Sequence, residues 1–199
     1  MTDDAKASLD VLLAGNERFR NGKSTRETYS LAQLQEIAKG QKPLAAIVAC
    51  SDSRVAPEVV FDQPLGTVFA ARTPGNVSAD SVKWMIEIAV DELKVPLLLV
   101  IGHTGCLAVT QIVEGQASGP GGMLRHQISA ALTRARSVNK DDVMYQTIIE
   151  NVYQTISKLR EESYELKKAI ANGTTSIIGA VYDMESGRVD ILEQRERTL

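Results

Sequence analysis

The stretch Leu44-Ala45-Ala46-Ile47-Val48-Ala49-Cys50-Ser51-Asp52-Ser53-Arg54 decides the predicted fold. Its first six residues are apolar, and a short apolar run that ends in a loop is typical of a strand buried in a parallel sheet. Pro57 lies where a first helical turn would begin, so residues 50–54 are predicted to link a strand to a helix. Loops of this kind lie at the carboxyl edge of a parallel sheet, where ligands bind.

Four further apolar stretches predict strands, at 67–71, 97–101, 176–182 and 189–192. The last two are joined through Glu185-Ser186-Gly187, which is typical of a hairpin and makes the final strand antiparallel. Helical patterns separate the other strands, and Ser78 is expected to cap a helix that runs to about Leu93. The predicted class is α/β, with a mostly parallel central sheet of about four strands plus an antiparallel edge strand, flanked by helices.

The chain of 199 residues, 44% of them apolar, is expected to form a single domain over 1–199. Within it, residues 1–40 predict an N-terminal helical arm. The amphipathic helix of this arm precedes the first strand and is expected to find little core of its own to cover, so it should pack on a partner subunit. Residues 119–122 form the strongest helix breaker, and a helical segment over 120–172 follows, interrupted near Ser163.

The charge and the apolar runs exclude several classes of partner. A net charge of −3 and a pI near 5.5 argue against binding to nucleic acid or to an anionic membrane. The longest apolar run, at 95–101, is far too short to span a bilayer, and the N-terminus resembles no secretory signal. Two cysteines do not make a disulfide scaffold, so a cytoplasmic location is expected.

The two cysteines, Cys50 and Cys106, each follow a predicted strand, and His103 precedes the second by three residues. Two thiolates and an imidazole on adjacent strand ends suit a catalytic zinc ion with water in its fourth position. The alternative is that the cysteines are buried core thiols, which is a common fate of this residue. That both cysteines fall in polar strand-end loops favours the zinc hypothesis.

Two other chemistries for the first loop fit less well. A phosphatase-type loop would place its Arg six residues beyond the Cys, whereas Arg54 is four beyond Cys50. A redox pair would need neighbouring cysteines such as C-x-x-C. Asp52 is open to two interpretations: a turn residue that caps its own loop, or a carboxylate that switches between an ion pair with Arg54 and metal ligation.

Several motifs together resemble those of the β-class carbonic anhydrases, and the resemblance runs from about Leu9 to the fourth strand. The motifs are Cys50-Ser51-Asp52-Ser53-Arg54, His103-x-x-Cys106, Leu12-Leu13-x-Gly15-Asn16-x-Arg18-Phe19, Gly40-Gln41-Lys42-Pro43, Phe61-Asp62 and Arg72-x-x-Gly75-Asn76.

The resemblance implies a zinc lyase that reversibly hydrates carbon dioxide to bicarbonate and a proton, by attack of zinc-bound hydroxide. Cys50, His103 and Cys106 match the zinc ligands of that family. Asp52 and Arg54 match its dyad, in which the Arg holds the Asp away from zinc. In a closed form, Asp52 would itself be the fourth ligand.

The resemblance also implies residues that contact substrate and a subunit arrangement. Gln41 matches a glutamine that orients carbon dioxide or bicarbonate, and Phe69 matches an apolar wall of the pocket. Members of that family form obligate dimers, so the resemblance implies a homodimer or a dimer of dimers. In such dimers the N-terminal helix embraces the neighbouring subunit.

Leu107 departs from the family pattern, which nearly always has Gly after the second cysteine. Its side chain is expected to border the substrate space beside the zinc. The departure leaves two alternatives open. One is a hydrolase of carbonyl sulfide or carbon disulfide on the same scaffold, and the other is a zinc-stabilised family member without catalytic activity.

Overall fold

The computed structural model describes residues 1–25, 28–118 and 122–194, and these contain one five-stranded sheet. The strands lie in the order β2-β1-β3-β4-β5, with β1–β4 parallel and β5 antiparallel to β4. Their bounds are Ala45–Cys50 (β1), Val68–Thr73 (β2), Leu97–His103 (β3), Ser176–Tyr182 (β4) and Val189–Ile191 (β5). The predicted fold class is confirmed.

Helices flank the sheet on both faces. Their bounds are Asp3–Arg20 (α1), Leu31–Ile37 (α2), Pro57–Val60 (α3), Asp80–Glu87 (α4), Leu107–Val113 (α5), Gly122–Val138 (α6), Val143–Glu162 (α7) and Tyr164–Ala171 (α8). Ser163 ends α7 and caps α8 through its side chain, so the predicted interruption of the long helix is confirmed. The breaker at 119–121 lies outside the described residues.

The strand order places a ligand site between β1 and β3. From β1 the chain continues to β2 on one side, and it later returns to β3 on the other side. The carboxyl ends of β1 and β3 therefore border the crevice at which parallel sheets bind ligands. All residues of both strands are buried, as expected for a sheet covered on two faces.

Alternate residues of β1 pack into two apolar layers. Ala45, Ile47 and Ala49 face a core shared with α1, α3 and α5, whereas Ala46 and Val48 face a core shared with α4 and α8. This is the two-residue period of a strand. The continuous apolar run in the sequence thus reflects burial on both faces of the sheet.

The expectation that α1 finds little core in its own chain is wrong. Ala5, Leu9 and Leu12 are buried in the same layer as β1 and β3. Asn16 reinforces this packing, because its amide donates to the carbonyls of Val60 and Gly187 at 3.0 and 2.8 Å. By contrast, α2 has no buried residue, and its Leu31 and Leu34 are exposed. Of the two helices in the predicted arm, only α2 buries no residue within the described chain.

The helix expected from Ser78 to about Leu93 ends where predicted, but it starts later and changes form before its end. It begins after Ala79, which makes no side-chain cap, and Ser78 does not cap it. At Ile88–Glu92 the helix widens into a π-helical turn. The amphipathic pattern continues through this turn, which explains why the sequence did not reveal the change. Among the described residues, no helix has the length and apolar character needed to cross a bilayer.

Candidate metal centre

The carboxyl ends of β1 and β3 bring Cys50, His103 and Cys106 together, because Cys50 ends β1, His103 ends β3 and Cys106 lies in the loop after β3. The two Sγ atoms and one ring nitrogen of His103 all lie within 4.8 Å of one another, and the three residues are buried. The Sγ atoms are 3.9 Å apart and form no disulfide. Pairing of β1 with β3 causes this convergence, because it aligns their carboxyl ends although 56 residues separate the two cysteines.

The imidazole of His103 is oriented for ligation through Nε2. Its Nδ1 lies 2.9 Å from the carbonyl oxygen of Thr104, which fixes Nδ1 as the donor. The Nε2 atom is buried and has no hydrogen-bond partner among the described residues. A buried nitrogen lone pair facing two sulfurs fits a metal ion, because an unpartnered polar atom in the interior is otherwise costly.

The environment of Cys50 favours its thiolate form. A hydrogen bond from the Cys106 thiol outweighs the effect of burial and lowers the pKa of Cys50. The backbone N–H groups of Asp52 and Gly75 also donate to this sulfur, at 3.4 and 3.3 Å. The same thiol–thiolate contact and burial raise the pKa of Cys106. Binding of a divalent metal would therefore release a proton from Cys106.

Asp52 and Arg54 form an ion pair at the mouth of the site. Arg54 donates from Nε to Oδ1 at 2.9 Å and from Nη2 to Oδ2 at 2.7 Å, and its backbone N–H donates to Oδ1 at 3.0 Å. These hydrogen bonds hold the pKa of Asp52 well below its usual range. Among the described residues, the cluster of possible metal ligands does not include Asp52. Its carboxylate is engaged by Arg54.

Arg54 also links the two loops, because its Nη2 donates to the carbonyl of Gly105 at 3.3 Å. Arg72 on β2 holds the first loop from the other side, with Nε donating to the carbonyl of Cys50 at 2.9 Å and Nη2 to that of Asp52. The positions of Cys50 and Asp52 therefore depend on two guanidinium groups. The sequence motif Arg72-x-x-Gly75-Asn76 drew attention to Arg72. The motif did not predict that Arg72 would donate to the carbonyls of Cys50 and Asp52.

Comparison with known proteins identifies the arrangement. The family model for "Carbonic anhydrase" matches residues 45–189, which is most of the chain and includes both loops. The chain belongs to the β-class carbonic anhydrases.

The similarity extends beyond the two loops. Carbonic anhydrase 2 of Mycobacterium tuberculosis is 37% identical over 189 residues, which cover 92% of this chain and 90% of that protein. The β-carbonic anhydrase CafA of Aspergillus fumigatus has a TM-score of 0.68 at 25% identity, over 95% of this chain and 92% of that one. Two tetrameric β-carbonic anhydrases from Sordaria macrospora are represented by a chain with a TM-score of 0.67 at 22% identity, over 94% of each chain.

Two residues that the carbonic anhydrase resemblance assigns to substrate lie away from this chain's own cluster. Gln41 is exposed and precedes β1, so it lies at the amino edge of the sheet. Phe69 lies in β2, where it pairs with Ala46 of β1 near the same edge. The six residues of β1 span about 20 Å at 3.3 Å per residue, which separates this edge from Cys50. The fold thus brings neither residue to the candidate metal ligands of the same chain.

Leu107 begins α5 directly after Cys106, and its side chain is 65% exposed. It therefore does not belong to the core of its own chain. A small apolar cavity lies beside His103 and is lined mainly by Val55, Phe61, Ile101 and Tyr182. The sequence prediction did not name these four residues as a cavity, because each belongs to an apolar pattern that predicts ordinary core packing.

Proposed function

We propose that the protein catalyses zinc-dependent, reversible hydration of carbon dioxide to bicarbonate and a proton at Cys50, His103 and Cys106. The observation that carries this proposal is the buried cluster of two sulfurs and an unpartnered imidazole nitrogen within 4.8 Å. Membership in the carbonic anhydrase family supports the reaction class.

The donor set favours zinc among the common metals. Thiolate and imidazole ligands suit Zn²⁺, whereas Mg²⁺ and Ca²⁺ prefer oxygen ligands. Three protein ligands leave one tetrahedral position for water or substrate, which is the arrangement of catalytic rather than structural zinc sites. When bound there, zinc lowers the pKa of a coordinated water and so supplies a nucleophile near neutral pH.

Asp52 and Arg54 would control the open position. With its carboxylate held by Arg54, Asp52 leaves that position free and can accept a hydrogen bond from the attacking water at an Oδ atom. Its lowered pKa keeps the carboxylate ionised, so it acts as an acceptor. If the ion pair opened, Asp52 could turn toward the metal and close the site as a fourth ligand. Arg54 is thus the residue that would select between the two forms.

Substrate contacts from Gln41 and Phe69 require a second copy of the chain. Both lie near the amino edge of the sheet, where β2 is an edge strand in the described sheet and the apolar side chains of α2 are exposed. A homodimer that joined these surfaces could bring Gln41 and Phe69 of one subunit to the metal site of the other. The tetrameric Sordaria macrospora enzymes support assembly of this kind.

A cytoplasmic location is part of the same proposal. The two Sγ atoms lie 3.9 Å apart, so loss of metal in an oxidising compartment would allow the thiols to form a disulfide and inactivate the site. A reducing compartment would keep both thiols available for the metal.

The test is a stopped-flow assay of carbon dioxide hydration on zinc-loaded protein, with Cys106→Ser as the inactive reference. We expect the wild-type rate to exceed the uncatalysed rate. The rate of the Cys106→Ser reference should equal the uncatalysed rate. Zinc-loaded protein without hydration activity would favour a non-catalytic family member. Carbonyl sulfide is assayed in parallel, because the exposed Leu107 beside Cys106 favours a small apolar substrate more than Gly would. Hydrolysis of carbonyl sulfide without hydration would replace the proposal by that second activity.

A further inference from the structure

We propose that Asn151, on α7, is a positioning residue for the Cys50 ligand and acts through the peptide groups of Gly75. The inference rests on the proposed function, because it assumes that Cys50 binds the metal. Asn151 lies outside every motif that predicted the site, and its contact with Gly75 spans 76 residues of sequence.

The first link is the hydrogen bond from Gly75 to the ligand sulfur. The backbone N–H of Gly75 donates to Cys50 Sγ at 3.3 Å in a buried setting. Asp52 supplies the other backbone N–H, but it belongs to the ligand's own loop. The Gly75 contact is therefore the one that comes from a separate segment, the turn Pro74–Asn76 after β2.

The second link is the side-chain amide of Asn151. Its Nδ2 donates to the carbonyl oxygen of Gly75 at 2.6 Å, and the residue is only 1% exposed. Because α7 packs against β3 and β4, the amide is presented from a rigid element rather than from a loop. The Asn151 amide thus holds the carbonyl of Gly75, the residue whose N–H donates to Cys50 Sγ.

Gly75 needs such a contact because of its backbone conformation. Its φ of 68° and ψ of 24° lie in the left-handed region, which glycine enters and leaves more readily than other residues. A Cβ at this position would lie 2.9 Å from Ile128 Cδ1, so a side chain here would displace Ile128 as well as strain the backbone. The fold thus favours glycine here and restrains it from outside through Asn151.

The consequence concerns the strength of Cys50 as a ligand. An N–H group directed at a metal-bound thiolate withdraws charge from the sulfur and fixes its position, and groups of this kind tune the affinity and electronic properties of a metal site. If Asn151 is lost, the Gly75 N–H should point less accurately at Sγ. The sulfur should then hold the metal in a less defined geometry and donate more charge to it.

The test compares Asn151→Leu with the wild type in two measurements that do not depend on catalysis. The first is zinc affinity, measured by equilibrium competition with a chromophoric chelator. The second is the energy of the thiolate-to-metal charge-transfer absorption after substitution with Co²⁺. We expect a loss of about tenfold or more in zinc affinity and a charge-transfer band moved to lower energy.

Gln127→Met is the matched control. Gln127 is also a buried amide, and its Nε2 donates at 2.8 Å to the carbonyl of Ser78, three residues beyond Gly75. Its amide makes no described contact with Gly75 or Cys50, so the control should leave the Co²⁺ band unchanged. If Asn151→Leu does not fold, Asn151→Ser replaces it, because the shorter hydroxyl cannot reach the Gly75 carbonyl.

Three outcomes would overturn the inference. Affinity within twofold of wild type together with an unchanged band would remove Asn151 from the metal site. Equal effects of the two substitutions would reduce it to a general packing role. Wild-type protein that binds Co²⁺ without a thiolate charge-transfer band would overturn both the inference and the proposed site, whereas the first two outcomes leave the proposed function intact.

Discussion

The Sγ atom of Cys50, at the end of β1, lies 3.9 Å from that of Cys106, in the loop after the adjacent parallel strand β3. In the absence of metal, one thiol donates to the other, and the pair retains a proton that a bound divalent cation would displace. The contact joins two segments that are distant in the sequence. A metal held there should therefore stabilise the fold as well as serve the reaction.

Zinc content and stability give the first prediction. We expect one zinc per chain after zinc-supplemented expression and a fall in melting temperature of about 5–10 °C when a chelator removes it. Cys106→Ser should lower the zinc content and show little further change with chelator. Elemental analysis and calorimetry measure these quantities. Well under half an equivalent of zinc in the wild type would count against the site.

The ion pair between Asp52 and Arg54 gives the second prediction. Arg54→Ala removes both guanidinium contacts to the carboxylate, so Asp52 should turn toward the metal and block its open position. We expect hydration activity to fall by about 10–100-fold while zinc remains bound. Arg188→Ala is the control, because Arg188 is also exposed and ion-paired, with Asp190. An Arg54 variant with full zinc content and full activity at every pH would exclude the dyad from the mechanism.

The convergence of Cys50, His103 and Cys106 could be predicted because each of these candidate ligands lies within a short motif at a strand end. Cys50, Asp52 and Arg54 are close in the chain, and His103-x-x-Cys106 spans a single turn. The contribution of Asn151 could not be predicted in this way, because its partner is 76 residues away and only the packing of α7 brings them together. An Asn between the apolar Ile148 and Val152 on a buried helix face was the available signal.

The position of α1 shows a second limit. Its apolar periodicity predicted a helix, and Asp3–Arg20 forms one. Periodicity identifies an apolar face but not the surface that covers it, so the expectation that α1 has little core of its own chain to cover was wrong. The π-helical turn after α4 was missed for a related reason, since widening a helix by one residue barely changes its apolar pattern.

Asp62 gives a prediction on acid stability. Burial raises its pKa, but hydrogen bonds from Thr25 and Arg18 outweigh burial and leave the pKa below its ordinary value. A lowered pKa stabilises the fold above the unfolded value of about 3.9, and this stabilisation is lost as the pH falls through the folded value.

Asp62→Asn should therefore reduce the unfolding free energy of the metal-free protein by about 1–3 kcal/mol at pH 6. The difference from wild type should shrink as the pH approaches 3. Urea denaturation at both pH values measures it, with Asp190→Asn as a control whose carboxylate is half-exposed. A difference that stays constant across this range would show that the charge of Asp62 contributes nothing.

The proposed exchange of residues between subunits is tested by complementation. Arg54→Ala and Gln41→Ala should each be impaired alone. In a mixed dimer, one site would combine intact metal-site residues from the Gln41 variant with an intact Gln41 from the Arg54 variant. Random pairing would restore about a quarter of all sites. Activity of co-expressed chains that equals the average of the two separate variants would show that Gln41 acts within its own chain, and a monomer in light scattering would exclude the dimer itself.

Leu107 gives the prediction on substrate choice. Because its side chain is 65% exposed, Leu107→Gly removes little packing, and we expect a loss of stability of no more than about 1 kcal/mol at this helix start. The four carbons that are lost lie next to Cys106, where they would exclude water and disfavour bicarbonate, the charged product of hydration. Hydration of carbon dioxide should therefore rise by about tenfold, which corresponds to ~1.4 kcal/mol of barrier, while hydrolysis of carbonyl sulfide should not rise with it. Both rates are measured on one preparation, with Leu65→Gly as an exposed control remote from the metal ligands in sequence. An unchanged ratio of the two rates would leave Leu107 without a role in substrate selection.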